Sequence, residues 1–270
     1  MTLALGKAMA LTSRKSLRTI KRSMGNHLWV LPMVTFLIVW EGISRAHLIP
    51  AGKLPAFSTV ITTLAVCASN WEFLYRVFQS FLNLSLGIFL ALFIAMPLAL
   101  YAGLRNRFDV TFTPIITIVG ALPDLAILPV LVIWFGSGNM AAIVMASVCA
   151  FFPVYFTVRE GTKDIPHDYF NVANVFRSGK IDTFKKVVFP AIFPSMMTGL
   201  RLSFDFVWEV ILAIEIIARV TGIGTFIDAS VNQGTIEYAF AGIMAIGAIA
   251  LSVDRVAFGL LEGRIRRWKE

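Results

Sequence analysis

From Phe78 to Leu104 the chain runs 27 residues without a charged side chain. A helix rises about 1.5 Å per residue, so about 20 apolar residues cross the roughly 30 Å hydrocarbon layer of a bilayer. A second uncharged run, the 19 residues from Met140 to Val158, repeats the signal. These runs therefore specify helices, and the composition agrees: 57% hydrophobic, 15% charged, mean hydropathy +0.77. The expectation is an all-α integral membrane protein with about six transmembrane helices. They fall near His27–Ile43, Phe78–Leu104, Phe108–Phe135, Met140–Val158, Ala191–Ile217 and Tyr238–Val253.

The net charge of +8 could suggest a nucleic-acid partner, but topology accounts for it. Of the 24 lysines and arginines, 20 fall before the first span, at Arg105 and Arg107, in the segment 159–190, at Arg201, and from Arg255 onward. The positive-inside rule then places these segments and both termini in the cytoplasm, which requires an even number of spans. Residues 1–26 form a basic cytoplasmic N-terminal segment, either an amphipathic helix on the inner leaflet or a tail that fixes orientation. No small-residue cleavage site follows the first apolar run, so a secretory signal is not expected. Residues 27–270 read as a single transmembrane domain, without internal repeat, linker or low-complexity tract.

Catalytic chemistry finds no foothold. Cys67 and Cys149 have no metal or redox spacing, and His27, His47 and His167 fit no ligand motif. A phosphate-cradling glycine loop is absent as well, so no enzyme activity, metal site or cofactor is expected in this chain.

Between two of the apolar runs lies a polar, basic stretch, Arg159–Leu200. Pro166 can open a helix with Asp168 in its first turn, and Gly179 interrupts it before Ile181–Val188, giving two short helices with a bend. Phe170, Ala173, Val175 and Phe176 give the first of these an apolar side. Such a helix either presses against a partner outside the membrane or lies on its own bundle as an ordinary loop.

Polar groups within the spans are the other candidates. Asn83 and Ser85 either glue helices together or line a path. Phe108–Phe135 is interrupted by Pro114, Pro123 and Pro129 and carries Asp124; broken spans are tolerated where neighbours or a water-filled cavity satisfy the freed backbone. Asp124 is a functional candidate as an intramembrane acid, or else a bend partner or a group at the watery rim. Arg201, Asp205 and Glu209 follow at four-residue intervals and stack on one helical face. The two acids either line a central cavity, favouring a substrate with a positive or hydrogen-bond-donating group, or meet arginines elsewhere in the assembly.

Several of these stretches resemble one family. Phe184–Ala191 with Pro194 and Thr198–Arg201 is similar to the trailing part of the EAA loop of ABC importer permeases. That alignment puts the E-A-A positions on Asn171, Val172 and Ala173 and the motif glycine on Arg177, so the usual glutamate and glycine are both replaced. Leu122–Pro129 followed by Val132–Gly138 resembles the I-P-P-L-A-L-L-P and W-F-G-x-G signature of nitrate, sulfonate and taurine-type permeases, with Asp124 in place of the second proline. Leu54–Ser58 is similar to their L-P-S-P element. Gly199-Leu200-Arg201, Trp208 and Glu215, Thr221–Ile227 and Asp254-Arg255 also sit where that group carries G-L-R, a tryptophan, A-E, a G-L-G-Y-L-I element and D-R.

The resemblance implies a type I ABC importer permease of binding-protein-dependent transport: a multi-pass protein of the bacterial inner membrane with a cytoplasmic coupling helix. Its partners would be two cytoplasmic ATPase subunits, which bind ATP and magnesium, a second permease of the same or another kind, and an extracytoplasmic binding protein. Coupling to the ATPase would fall to Phe170, Asn171, Ala173, Phe176, Arg177, Gly179 and Phe184. The pathway candidates are Asn83, Pro123, Asp124, Asp205, Trp208, Glu209 and Glu215. The substrate would be a small nutrient of the nitrate, sulfonate, taurine or heterocycle class. The alternative is an ion-coupled secondary transporter that uses Asp124, Asp205, Glu209 or Glu215.

Overall fold

The computed structural model describes residues 30–50 and 52–259. The basic N-terminal segment and the basic residues of the C-terminal tail lie outside the described residues. The chain divides into two compact units, Met1–Thr63 and Leu64–Glu270.

In the first unit, α1 (Val30–Arg45) exposes Leu31, Met33, Phe36 and Ile38. This is the surface expected of a helix solvated by lipid. Its C-terminal turn organises the chain that follows. Trp40 Nε1 donates to Pro55 O at 3.0 Å and Ser44 Oγ to Leu54 O at 3.0 Å. Glu41 accepts from the Ser58 N–H at 3.1 Å and the Ser58 hydroxyl at 2.7 Å. α2 (Phe57–Ala68) begins one residue before Ser58, and the Glu41 carboxylate satisfies the orphan N–H of its first turn.

The second unit is built on α3 (Trp71–Leu104), α4 (Asn106–Gly120), α5 (Asp124–Phe135), α6 (Asn139–Lys163), α7 (His167–Val175), α8 (Lys180–Thr183), α9 (Phe189–Ala218), α10 (Ile223–Asn232) and α11 (Ile236–Ser252). Among the described residues, α3, α6 and a helix from Ile236 to Val256 are long and apolar enough to span a bilayer alone. Two bent pairs bring the count to five: α4 with α5, bent by 90°, and the stretch through α9 with α10, bent by 59°. The sixth expected span is α1, whose beginning lies outside the described residues.

α6 is the centre. Gly87 and Gly103 of α3 meet Ala146 and Thr162 of α6 so closely that a methyl at either glycine would overlap its neighbour; both sequence numbers rise together, so the helices are parallel. Against α9 the order reverses: Gly161 faces Ser195, Gly199 faces Thr157, and Ser203 Oγ donates to Ala150 O at 2.9 Å. Small residues allow this approach. Gly87, Ala91, Ala95, Ala99 and Gly103 recur every fourth residue and form one stripe of α3. In lipid, where no hydrophobic force separates helix from solvent, such stripes let dispersion and backbone proximity hold helices together. The pairings put the C-terminal ends of α3 and α6 and the N-terminal ends of α4 and α9 at one end of the bundle, where α7 and α8 also emerge.

Candidate functional site: the α7–α8 hairpin and the polar groups of the spans

The hairpin of α7 and α8 is tied to the bundle at both ends. Ile165, just before α7, and Val188, at the end of the π-helical segment Phe184–Val188, are buried with Tyr155, Val158 and Ile192. Between these anchors only part of the expected apolar side turns inward: Ala173 is buried and Phe170 half-buried. Tyr169, Val172, Val175, Phe176 and Ile181 face out, Val175 and Phe176 with 80% and 78% of their surface exposed. Around them Asn171, Arg177, Lys180, Lys185 and Lys186 are also exposed, as is Phe184. These residues form an exposed apolar patch rimmed by cations, the kind of surface that marks interaction sites in general.

The bend in the hairpin is made at Arg177, not at Gly179. α7 ends in a Schellman turn, with the Ser178 N–H bonded to Ala173 O and the Arg177 N–H to Asn174 O, both at 2.9 Å. The residue between must be left-handed, and Arg177 has φ 50°. This is the position where the resembling motif carries glycine, and the geometry explains why. Gly179 has φ −65°, which any residue adopts, and simply precedes α8.

The span candidates do not form one cluster. Asn83 on α3 and Trp208 on α9 are buried in the bundle, and neither the Asn83 amide nor the Trp208 indole N–H has a hydrogen-bond partner. Asp205 and Glu209 lie on the outward stripe of α9 with Leu202 and Phe206. Arg201 stays within electrostatic reach of Asp205 on its own helix and also meets Asp254, beyond the end of α11, at 2.8 Å. Pro123 precedes α5 and Asp124 opens its first turn, where a carboxylate complements the helix dipole, with the thiol of Cys149 beside it.

Glu215 is completely buried and joins two motifs into one contact. Its Oε2 accepts the Gly224 N–H at 2.7 Å at the start of α10, and Gly222 packs directly on the carboxylate. The Ile223 N–H is taken by Ser80 Oγ of α3 at 2.9 Å, and Phe226 meets Phe73 edge-on at 5.1 Å. The glutamate near the end of one helix and the glycines opening the next are halves of a single corner.

Sequence patterns gave no hint of another buried acid, Asp109 of α4. Arg159 of α6 binds it through Nε to Oδ1 and through Nη2 to Oδ2 at 2.7 Å, while Lys163 Nζ reaches Oδ2 at 2.9 Å. Thr113 donates to Oδ1 at 2.7 Å and contacts the Tyr155 hydroxyl at 2.8 Å. The outer face of Arg159 meets Glu160. The signal that could have found it is charge at matching depth: one acid just inside the third span and two cations four residues apart at the end of the fourth.

Residues 87–267 match the family described as the binding-protein-dependent transport system inner membrane component. The chain is 25% identical over 240 residues to the putative aliphatic sulfonates transport permease protein SsuC of Bacillus subtilis, covering 89% of this chain and 86% of that one. It is 28% identical over 266 residues to the bicarbonate transport system permease protein CmpB of Synechococcus elongatus, covering 90% and 95%. To the taurine transport system permease protein TauC of Escherichia coli it is 26% identical over 241 residues, 87% of each chain. Permeases of this family are not enzymes, and ATP is hydrolysed by separate subunits; the ion-coupled carrier finds no support among these relatives. With its five described helical spans, its broken segments and its outward hairpin, the chain belongs to the binding-protein-dependent inner membrane components and is the permease subunit of an ABC importer.

Proposed function

We propose that the α7–α8 hairpin is the cytoplasmic coupling element and that the broken spans and the outward face of α9 wall the substrate path. The observation that carries this reading is the exposed apolar face Tyr169, Val172, Val175, Phe176, held to the bundle by Ile165 and Val188. A surface anchored at both ends can pass a push from a docked ATPase into α6 and α9. Phe176 and Arg177 sit at its tip, with Asn171, Gly179 and Phe184 around them and Phe170 and Ala173 beneath.

In this reading both termini are cytoplasmic, two ATPase subunits bind ATP and magnesium, two copies of the chain form the permease pair, and a binding protein delivers substrate from outside. The substrate is a small nutrient of the nitrate, sulfonate, taurine or heterocycle class. Asp205 and Glu209 on the outward stripe of α9 cannot rest against lipid. Lining the path, they favour a zwitterion or a polar neutral molecule over a bare anion. Asn83, Trp208 and Glu215 then act behind the wall rather than on it.

The test is to purify the tagged chain in mild detergent and measure the mass of the intact complex. Recovery of an ATPase with a phosphate-binding glycine loop, two permease copies, and loss of that ATPase in Phe176→Asp are the expected results. A complex that keeps its ATPase and full coupling in Phe176→Asp removes the hairpin assignment.

A further inference from the structure

α4 and α6 are not in close backbone contact. An apolar groove of about 320 Å³ separates them, with Ile115, Ile116 and Val119 on one wall and Val148, Phe151 and Phe152 on the other. The two helices meet at the groove's ends. At one, Gly120 packs against the Phe152 ring. At the other, Asp109 and Thr113 reach Arg159, Lys163 and Tyr155, and the pairing of 109 with 159 and 113 with 155 makes the helices antiparallel.

The polar end sits next to the hairpin. Lys163 is the last residue of α6, and α7 begins at His167 after Asp164, Ile165 and Pro166. Arg159 and Lys163, one turn apart, present their charges to the same carboxylate. Two forked bonds from a guanidinium and one from an ammonium fix the acid in both position and orientation, which a greasy contact across a groove cannot do. On the other side, Asp109 lies in the first turn of α4, whose far end is the 90° break into α5.

We propose that Asp109, held by Arg159 and Lys163, is the positioning residue through which a displacement of the coupling hairpin reaches the broken span α4–α5. The inference rests on the importer reading above and adds a force path to it. A push on α7 moves the last turn of α6; the clamp makes the start of α4 follow, with Phe108 turning against Tyr101 of α3; the groove leaves the middle of α4 loosely packed on α6; and the break at 121–123 converts the pivot into a swing of α5.

The test uses the complex recovered with the tagged full-length chain. Cys67 and Cys149 are replaced by alanine, and Ile133→Cys, on the exposed face of α5, carries an environment-sensitive fluorophore. Trapping with magnesium, ATP and vanadate shifts the fluorescence in the parent complex. In Asp109→Asn the complex still assembles, hydrolyses ATP and traps vanadate, but the shift falls roughly five-fold or more, the low end of measured couplings between sites. Lys163→Gln, which leaves the Arg159 fork intact, gives a smaller loss and serves if Asp109→Asn does not assemble. An unchanged shift in the variant that assembles overturns the joint. So does a shift that falls only in proportion to ATP hydrolysis and melting temperature, since that marks a merely structural bond. A parent complex with no ATPase overturns the coupling reading on which the joint rests, and one that holds its ATPase but shows no shift on trapping overturns the swing of α5, in both cases before any variant is compared.

Discussion

At the corner between α9 and α10 the 59° break is filled: the Glu215 carboxylate occupies its inside, the Gly224 and Ile223 N–H groups are both satisfied, and two glycines close on the acid without room for a methyl. At the corner between α4 and α5 the 90° break is open: Ala121, Leu122 and Pro123 are exposed, and Asp124 faces a thiol, a weak donor. Both corners bend a span, but the first closes on a buried carboxyl group that accepts the Gly224 N–H and the second has no such filling. A buried, hydrogen-bonded carboxylate resists motion because any displacement strips it of donors. The difference fits the first corner to the frame of the molecule and leaves the second free for the swing of α5 proposed above.

The largest effect should come from breaking the filled corner. Glu215→Ala leaves the Gly224 N–H buried without an acceptor and opens a cavity under α10, so a loss of about 3 kcal/mol is expected. Thermal unfolding in detergent measures it. Glu215→Gln keeps the shape and one acceptor and should lose less. A melting temperature unchanged by Glu215→Ala would erase the contrast between the corners.

Gly222→Ala attacks the same corner from the opposite side. The added methyl overlaps the Glu215 carboxylate, which must shift away from the Gly224 N–H to make room, and overpacking of this kind costs about 1–3 kcal/mol. Pairing it with Glu215→Ala sharpens the point: the alanine at 215 removes the obstacle, so the double variant should be less damaged than the sum of the single ones. Pro123→Ala at the open corner should cost less than about 1 kcal/mol, since the residue is exposed and proline, lacking an N–H, holds no backbone hydrogen bond as a donor there. Its consequence should appear in transport per ATP hydrolysed. Equal destabilisation by Pro123→Ala and Glu215→Ala would show that both corners are frame.

The sequence carried the bends because proline, glycine and motif spacing are local. Pro123 and the glycines of Trp134–Gly138 announce a break, and Gly136 and Gly138, with φ 77° and 139°, show why two glycines stand there. The length of α3 was underestimated, because Glu72 and Arg76 lie beyond the uncharged run; yet they pair at 2.8 Å, and Asn70 caps the helix by accepting the Glu72 N–H. The four-residue stripe from Gly87 to Gly103 was present in the sequence but hidden among equally apolar leucines, where hydropathy does not distinguish packing faces from lipid faces. What connects distant segments was not legible. Nothing local tells that Glu215 answers Gly224 and Ser80 answers Ile223, or that Asp109 is held by side chains 50 and 54 residues away.

The smallest expected effect extends the comparison to the α7–α8 hairpin, where a bend is made by a residue poorly suited to it. A left-handed arginine costs about 1–2 kcal/mol relative to the right-handed form, and glycine removes that cost while giving back part of it as unfolded-state entropy. Arg177→Gly should therefore strengthen the Schellman turn by roughly 0.5–1 kcal/mol, seen as slower amide exchange at Arg177 and Ser178 with little change in global melting. The same variant removes the exposed guanidinium. If ATP-driven transport improves with the firmer turn, the hairpin works through its backbone shape and arginine is a tolerated substitute for glycine. Should transport weaken although the turn is firmer, the strained arginine is kept for what its side chain touches on the ATPase, and the hairpin, unlike the Glu215 corner, is built for its partner before its own stability.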